Sequence, residues 1–246
     1  MNTLPRVTIL TPTTGSRDAF LRQCSKYVDR QTYPAHLLEW LIIDAGTEEA
    51  VQEPQHLFPP FENKISVVRY FRHGSVGMLR NHGVRLAKGE IIVHFDDDDW
   101  QAHDRVERQV APFLRSSHLD LVCTDDYYIG LFNEAPVRAM KSPGWNYEIC
   151  SSGGSFAYRR EAALRSPFMN MPTGEDYLFA KYLRMKGYAS RVQNLHDASL
   201  FIAIRHGKNT CPIDGLVTSA ANTETADWVL SMMGVNDFNR IVELSS

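Results

Sequence analysis

Short apolar runs separated by helix-patterned stretches fill the first half of the chain, and this alternation limits the fold more than any other feature. Residues 6–11 (RVTILT), 39–44 (EWLIID), 64–70 (KISVVRY), 90–95 (EIIVHF) and 120–128 (DLVCTDDYY) read as strands. Runs this continuously apolar have no solvated face. They belong in a mainly parallel sheet covered by helices on both sides. The covering helices are expected over 17–31, over 75–88 with Gly89 as the stop residue, and over 104–116. The fold class is therefore expected to be α/β.

Ligands of such sheets collect beyond the carboxyl ends of the strands. Three of those ends carry polar groups: Thr11, Pro12 and Thr13 after the first run, Asp44 after the second, and Asp96 to Asp99 after the fourth. Their convergence points to one site. The second half is more mixed. An edge hairpin is expected over 132–141, a flexible SSGGS loop over 151–155, a strand over 156–159, a helix over 173–187, and strands over 188–193 and 199–205. Two helical patterns follow, over 223–233 and 236–244. With no internal repeat or low-complexity linker, a clean division into two domains is not expected.

At 246 residues and 43% hydrophobic content, the chain can bury a sizeable core without disulfide staples. Cys24, Cys123, Cys150 and Cys211 are scattered, with no C-x-x-C pair and no zinc-like grouping. A formal net charge of −3 gives no reason to expect a nucleic-acid partner. The opening residues lack a long apolar segment, and no run approaches the ~20 apolar residues that span a bilayer. The expected location is cytoplasmic, with peripheral association at the inner membrane face left open.

Asp96, Asp97, Asp98 and Asp99 carry the most chemistry. Adjacent carboxylates repel one another and are costly to desolvate unless a cation or donors compensate. After a buried strand, they suit a hard divalent cation that bridges a diphosphate. The plain alternative is a solvated acidic loop that favours the next helix N-terminus.

The segment HFDDDDW resembles the D-x-D element of family 2 glycosyltransferases, which have the GT-A (Rossmann-like) fold. The resemblance extends through VTILTPTTGSRDAFL, LIIDAGT, SVGMLRNHGVRLAKGEIIVHFDDDDW, SFAYRREA and TGEDYLFA, in order, over about the first 210 residues. It implies that Thr11, Pro12 and Thr13 line the nucleotide base and that Asp44 accepts a hydrogen bond from it. It also implies that Arg17 and Arg80 lie near the nucleotide, Asp96 faces the ribose and Asp98 binds the metal. Asp97 fills the variable position of the element, so which acid touches which atom stays open. Asp44 also reads as a strand-end turn former, and Arg80 as a capping or surface charge.

Glu175 and Asp176 resemble the family's E-D element, which makes Asp176 the base that takes the acceptor's proton and Glu175 its support or a contact to the acceptor. Thr173-x-x-Asp176 equally resembles a helix capping box. In 205–209 (RHGKN), the resemblance makes His206 a metal ligand and sets Arg205 and Lys208 on the diphosphate; an ordinary loop histidine is the alternative. A carboxylate and imidazole set favours Mn²⁺ over Mg²⁺. Gly153 and Gly154 let backbone approach a ligand between donor sugar and acceptor, and Trp145 would stack on a sugar ring or sit in the core. His94, Trp100, Tyr127 and Tyr128 read as scaffold.

The expected organisation is a GT-A domain over 1–210, with a nucleotide-binding part to about 130 and an acceptor-binding part after it, then a helical tail over 211–246. The tail's Met232, Met233, Val235 and Phe238 would pack on the core, on a second subunit as a homo-oligomer, or on a membrane. The expected reaction is inverting transfer of a sugar from a nucleoside diphosphate donor, UDP-linked first, to a hydroxyl on a glycan, lipid-linked glycan, protein or small molecule. The alternatives are a non-catalytic nucleotide- or carbohydrate-binding module and a sugar-phosphate nucleotidyltransferase. The second would want a more glycine-rich, basic loop than TPTTGSR.

Overall fold

Side chains alternate strictly along the first strands. Val7 and Ile9 join one buried cluster and Leu10 the other; Trp40 and Ile42 oppose Leu41 and Ile43; Ile91 and Val93 oppose Ile92. Both faces of the sheet are apolar and both need a cover, as the period of two dictates. The computed structural model describes residues 3–14, 17–46, 65–69, 74–142, 152–185, 191–209 and 215–245.

In chain order the elements are β1 (Val7–Thr13), α1 (Asp18–Asp29), β2 (Leu38–Asp44), β3 (Ile65–Arg69), α2 (Val76–Leu86), β4 (Ile91–His94), β5 (Trp100–Gln101) and α3 (Arg105–Arg115). Then come β6 (Leu121–Thr124), β7 (Tyr128–Leu131), β8 (Arg138–Lys141), β9 (Ala157–Arg159), α4 (Arg160–Arg165), α5 (Glu175–Met185), β10 (Val192–Leu195) and β11 (Phe201–Arg205). The tail forms α6 (Gly215–Ala220), α7 (Thr223–Met233) and α8 (Val235–Ser245). A seven-stranded sheet has the order β10-β6-β9-β4-β1-β2-β3, parallel except for β9. A four-stranded sheet has the order β5-β11-β7-β8.

Leu21, Cys24 and Tyr27 of α1 and Val106, Val110 and Phe113 of α3 cover one face of the large sheet. Leu79 and Val84 of α2, Ala162 and Ala163 of α4, and Phe179 and Leu183 of α5 cover the other. The fold is the α/β arrangement expected. Ser75 starts α2 by accepting the Met78 N–H on its hydroxyl, a cap the S-x-x pattern allows.

The structure corrects the sequence reading in several places, and among the described residues the strand expected over 188–193 is β10 at Val192–Leu195. The strand expected over 120–128 is two strands in different sheets, β6 and β7. Thr124 ends the first of them: its hydroxyl accepts the Asp126 N–H and donates to the Leu195 carbonyl, which turns the backbone away. Gly89 is not a helix stop, because α2 ends at Leu86 with Ala87 as its cap. Gly89 is needed for close approach instead, since a Cβ there would collide with the Thr8 backbone. In the tail, Met233 is buried and Met232 and Phe238 pack against the same cluster, but Val235 is 61% exposed and lies outside that contact.

The tail closes over the α1–α3 face. Asn222 and Ala139 exchange two backbone hydrogen bonds, and Asp237 accepts from Gln23, Arg30 and Trp100. Among the described residues, no helix is long and apolar enough to cross a membrane.

Candidate active site

β4, β1 and β2 lie side by side, with Leu10 paired to His94 and Thr13 to Asp44, so their carboxyl ends open on one edge of the sheet. A cavity of about 460 Å³ lies there. Pro12, Thr13 and Arg17 form one side, Asp96 to Asp99 the floor, and Gly153, Gly154, Glu175 and Asp176 the facing wall. Tyr127, Arg205 and Asn209 complete the lining.

The four aspartates are not equivalent. Asp97 accepts from the Thr13 hydroxyl at 2.6 Å and from Arg17 at 2.8 Å. Burial, reinforced by Asp98, pushes its pKa up to about 7. Asp98 is buried too, but the bond from His206 and the charge of Arg17 hold it below the ordinary carboxylate range. Asp99 turns back into the fold and accepts the Ile204 N–H at 2.8 Å; burial beside Asp98 and Asp96 raises it well above that range. Asp96 is raised by burial, and its Oδ1 lies 3.5 Å from Arg80 without accepting any hydrogen bond. Asp98 is thus the acid whose ionised form the site favours most, while burial disfavours the charged form of the other three.

Asp98 Oδ2 accepts from Arg17 at 2.7 Å, His206 Nε2 at 3.0 Å and Asn209 at 3.2 Å. His206 Nδ1 accepts the Lys208 N–H at 3.3 Å, which leaves the hydrogen on Nε2 facing Asp98. The ring packs 4.6 Å from Phe20 and its side chain is buried.

On the facing wall, Arg80 is buried between Asp96 and Glu175, with its guanidinium 5.7 Å from the Phe168 ring. Burial pushes Glu175 up to about 7 against the opposing charge of Arg80. Asp176 accepts from the Gly153 N–H at 2.7 Å and from the Tyr177 N–H at 2.7 Å. It therefore ties α5 to the Gly153 turn across the cavity, a contact beyond what a local capping box provides. A Cβ on Gly153 would lie 2.8 Å from Asp176 Cβ, and one on Gly154 would lie 3.0 Å from Asp96 Oδ2. Side chains at either position would push the two carboxylate groups apart.

That turn is fixed from below. His94 bonds the Gly153 carbonyl at 3.0 Å and the Tyr158 hydroxyl at 2.8 Å. Arg105 donates to the Gly154 carbonyl at 2.6 Å, and Gln109 to that of Ser155 at 2.6 Å. Arg105 is fully buried, which pulls its pKa down to about 9.

Some sequence-predicted residues stand apart from the cavity. Thr11 is fully buried in β1 and accepts the Trp40 indole N–H at 2.9 Å. Asp44 is buried and caps the Gly46 N–H at 2.8 Å, as a strand-end turn former does. The Lys208 side chain is exposed, and its carbonyl accepts from Arg17 at 3.0 Å. Trp145 lies outside the described residues. Arg80 lines the cavity, but its charge is already spent on Asp96 and Glu175. Sequence reasoning missed Arg105 and Asn209. Arg105 looks like any helix-surface arginine in sequence, and Asn209 like any turn asparagine; neither gives a signal beyond its position beside a motif.

The family model of glycosyl transferase family 2 matches residues 8–171. The chain is 27% identical to the glycosyltransferase AglE of Haloferax volcanii over 122 residues, 49% of this chain and 39% of that one. It is also 27% identical over 96 residues to the poly(ribitol-phosphate) beta-glucosyltransferase of Bacillus spizizenii, 39% of this chain and 15% of that one. The chain therefore spans less than half the length of these curated relatives. Among solved structures, the mannosyltransferase PcManGT from Pyrobaculum calidifontis, in complex with GDP-Man and Mn²⁺, matches with a TM-score of 0.63 at 19% identity, over 87% of this chain and 59% of that one. S. aureus TarS 1-349 in complex with UDP-GlcNAc matches with a TM-score of 0.56 at 16% identity, over 96% of this chain and 70% of that one. At these identities the likeness is one of fold, the GT-A arrangement.

Proposed function

The chain belongs to glycosyl transferase family 2, and from that premise we propose that it moves a sugar from a nucleoside diphosphate donor, UDP-linked in the first instance, to a hydroxyl acceptor with inversion. The observation that carries this reading is the shared cavity: the acidic floor and the Asp176 carboxylate face one volume of about 460 Å³, enough for a nucleotide sugar's reacting end and an attacking hydroxyl.

Asp176 is the proposed base. Its carboxylate is oriented by two backbone N–H donors on separate elements, which fixes it before an acceptor arrives. Pro12, Thr13 and Ala45 offer the surface on which the nucleotide would rest, and Arg205 a cation in the cavity wall for the diphosphate. Glu175 and Arg80 keep the acceptor wall at its distance from Asp96.

The residues fit a divalent cation. Asp98 is held ionised, His206 stands 3.0 Å from it, and Asp96 Oδ1 is buried without a hydrogen-bond partner. Among the described residues no group of three or more His, Cys, Asp and Glu is arranged to hold a metal. Asp98 and, with its hydrogen moved from Nε2 to Nδ1, His206 would therefore supply the protein side, and phosphate oxygens and water the rest, as is usual for Mg²⁺- and Mn²⁺-dependent nucleotide sites. Such a cation would neutralise charge that collects on the departing diphosphate.

The test is release of nucleoside diphosphate from UDP-, GDP- and dTDP-sugars, with and without pooled hydroxyl acceptors. The reading expects acceptor-dependent release, greatest with a UDP-sugar and lost in Asp176→Asn. Release of free sugar that ignores the acceptor would instead make the protein a hydrolase. No turnover with any donor, together with intact nucleotide binding, would make it a non-catalytic module.

A further inference from the structure

Arg17 sits at the entry to α1 and reaches over the acidic floor. Its guanidinium lies 2.7 Å from Asp98 Oδ2, 2.8 Å from Asp97 Oδ1 and 3.0 Å from the Lys208 carbonyl. Burial works against its charge, but Asp97 and Asp98 outweigh that effect and hold it charged. Its side chain is 14% exposed, in the wall of the cavity.

The oxygen it holds is also the one His206 and Asn209 address. A carboxylate oxygen has two lone pairs, so a divalent cation bound there must displace one of these donors. It would also bring two positive charges to within contact of a guanidinium, in a site too buried for water to screen them well. Arg17 and a cation on Oδ2 of Asp98 therefore compete for it. Of the donors on Asp98, Arg17 is the one with a fixed positive charge, and its withdrawal strands no buried acid: Asp97 keeps Thr13, and Asp98 keeps Asn209. The planar fork released in this way matches phosphate oxygens as well as it matches carboxylates.

We infer that Arg17 is an exchange cation: bonded to Asp97 and Asp98 it withholds Asp98 from a divalent metal, and the diphosphate of an incoming donor draws it away. Metal and nucleotide then bind cooperatively, each favouring the other by the same factor. The inference rests on the reading that Asp98 is a metal ligand, and deepens it with an order of events.

Free Mn²⁺ followed by electron paramagnetic resonance, with and without saturating UDP, tests it in the native protein, Arg17→Gln and Asp98→Ala. The native protein should bind Mn²⁺ at least about tenfold more tightly with UDP. Arg17→Gln should bind Mn²⁺ alone about tenfold more tightly than native, and gain correspondingly less from UDP than native does. Equal or weaker binding of Mn²⁺ alone by a folded Arg17→Gln, while the native protein still takes up Mn²⁺ with UDP, overturns the exchange role and leaves the metal site standing. Native-like uptake by Asp98→Ala removes the metal-site reading and the inference with it. Should Arg17→Gln fail to fold, Arg17→Lys decides. It keeps the charge but holds one acid in place of two, so an affinity for Mn²⁺ alone between that of native and that of a charge-free Arg17→Met supports exchange, and Arg17→Met binding Mn²⁺ no more tightly than native overturns it.

Discussion

Asp98 Oδ2 accepts from three donors, while Asp96 Oδ1, two residues away in the chain and also buried, accepts none. That asymmetry, set by which side chains reach the floor, favours the ionised form of Asp98 over that of Asp96. A pH signature follows. The pKa of Asp97 is raised to about 7, so the folded state binds more protons than the unfolded chain between its unfolded value and that figure. Its contribution to stability therefore falls as pH rises through that window and levels off above it. In chelator-treated protein, the melting temperature of Asp97→Asn should gain on native between about pH 4 and 7, then hold a constant offset; an offset that ignores pH contradicts the assignment. Asp176→Asn should lower transfer roughly a hundredfold to ten-thousandfold, the usual share of a general base, while leaving nucleotide affinity within about twofold. Steady-state rates beside calorimetry separate the two effects.

The strands were legible in the sequence because both of their faces are buried. An apolar run such as EIIVHF has no alternative that hides so many side chains, and the register follows from it. The break between β6 and β7 was not legible, because VCTDDYY stays rich in strand-forming residues and the turn depends on one threonine hydroxyl meeting Leu195, 71 residues away. The acidic floor could be read from adjacency alone. Two of its supports could not: Arg105 and Asn209 act through partners 49 and 111 residues distant. Thr11 shows the opposite failure, since a polar residue at a strand end can face inward, here onto Trp40. At this scale the contact of α2 with the segment before α5 is a test. A Cβ on Gly77 would collide with the Met169 carbonyl, which is backbone and cannot swing aside. Gly77→Ala should cost about 1–3 kcal/mol in denaturant unfolding, as overpacking does; a neutral result would mean that the segment yields freely.

Across the molecule, two sheets meet around the cavity and a helical tail packs on the α1–α3 face, where one of its carboxylates gathers three core side chains. Asp237 gathers Gln23, Arg30 and Trp100, so Asp237→Ala should cost about 2 kcal/mol and change the fluorescence of Trp100 on unfolding. Nucleotide binding at the far side of β1 should persist in that variant, because none of these groups lines the cavity. The central claim is that Asp98 serves the donor side of this cavity and Asp176 the acceptor side. It is tested most directly by calorimetric titration of UDP, with and without Mn²⁺, into native protein, Asp98→Ala and Asp176→Asn. The account predicts Mn²⁺-dependent binding in native and Asp176→Asn and its loss in Asp98→Ala. Binding that survives in Asp98→Ala, or a folded native protein that takes up no UDP with Mn²⁺ present, would contradict it.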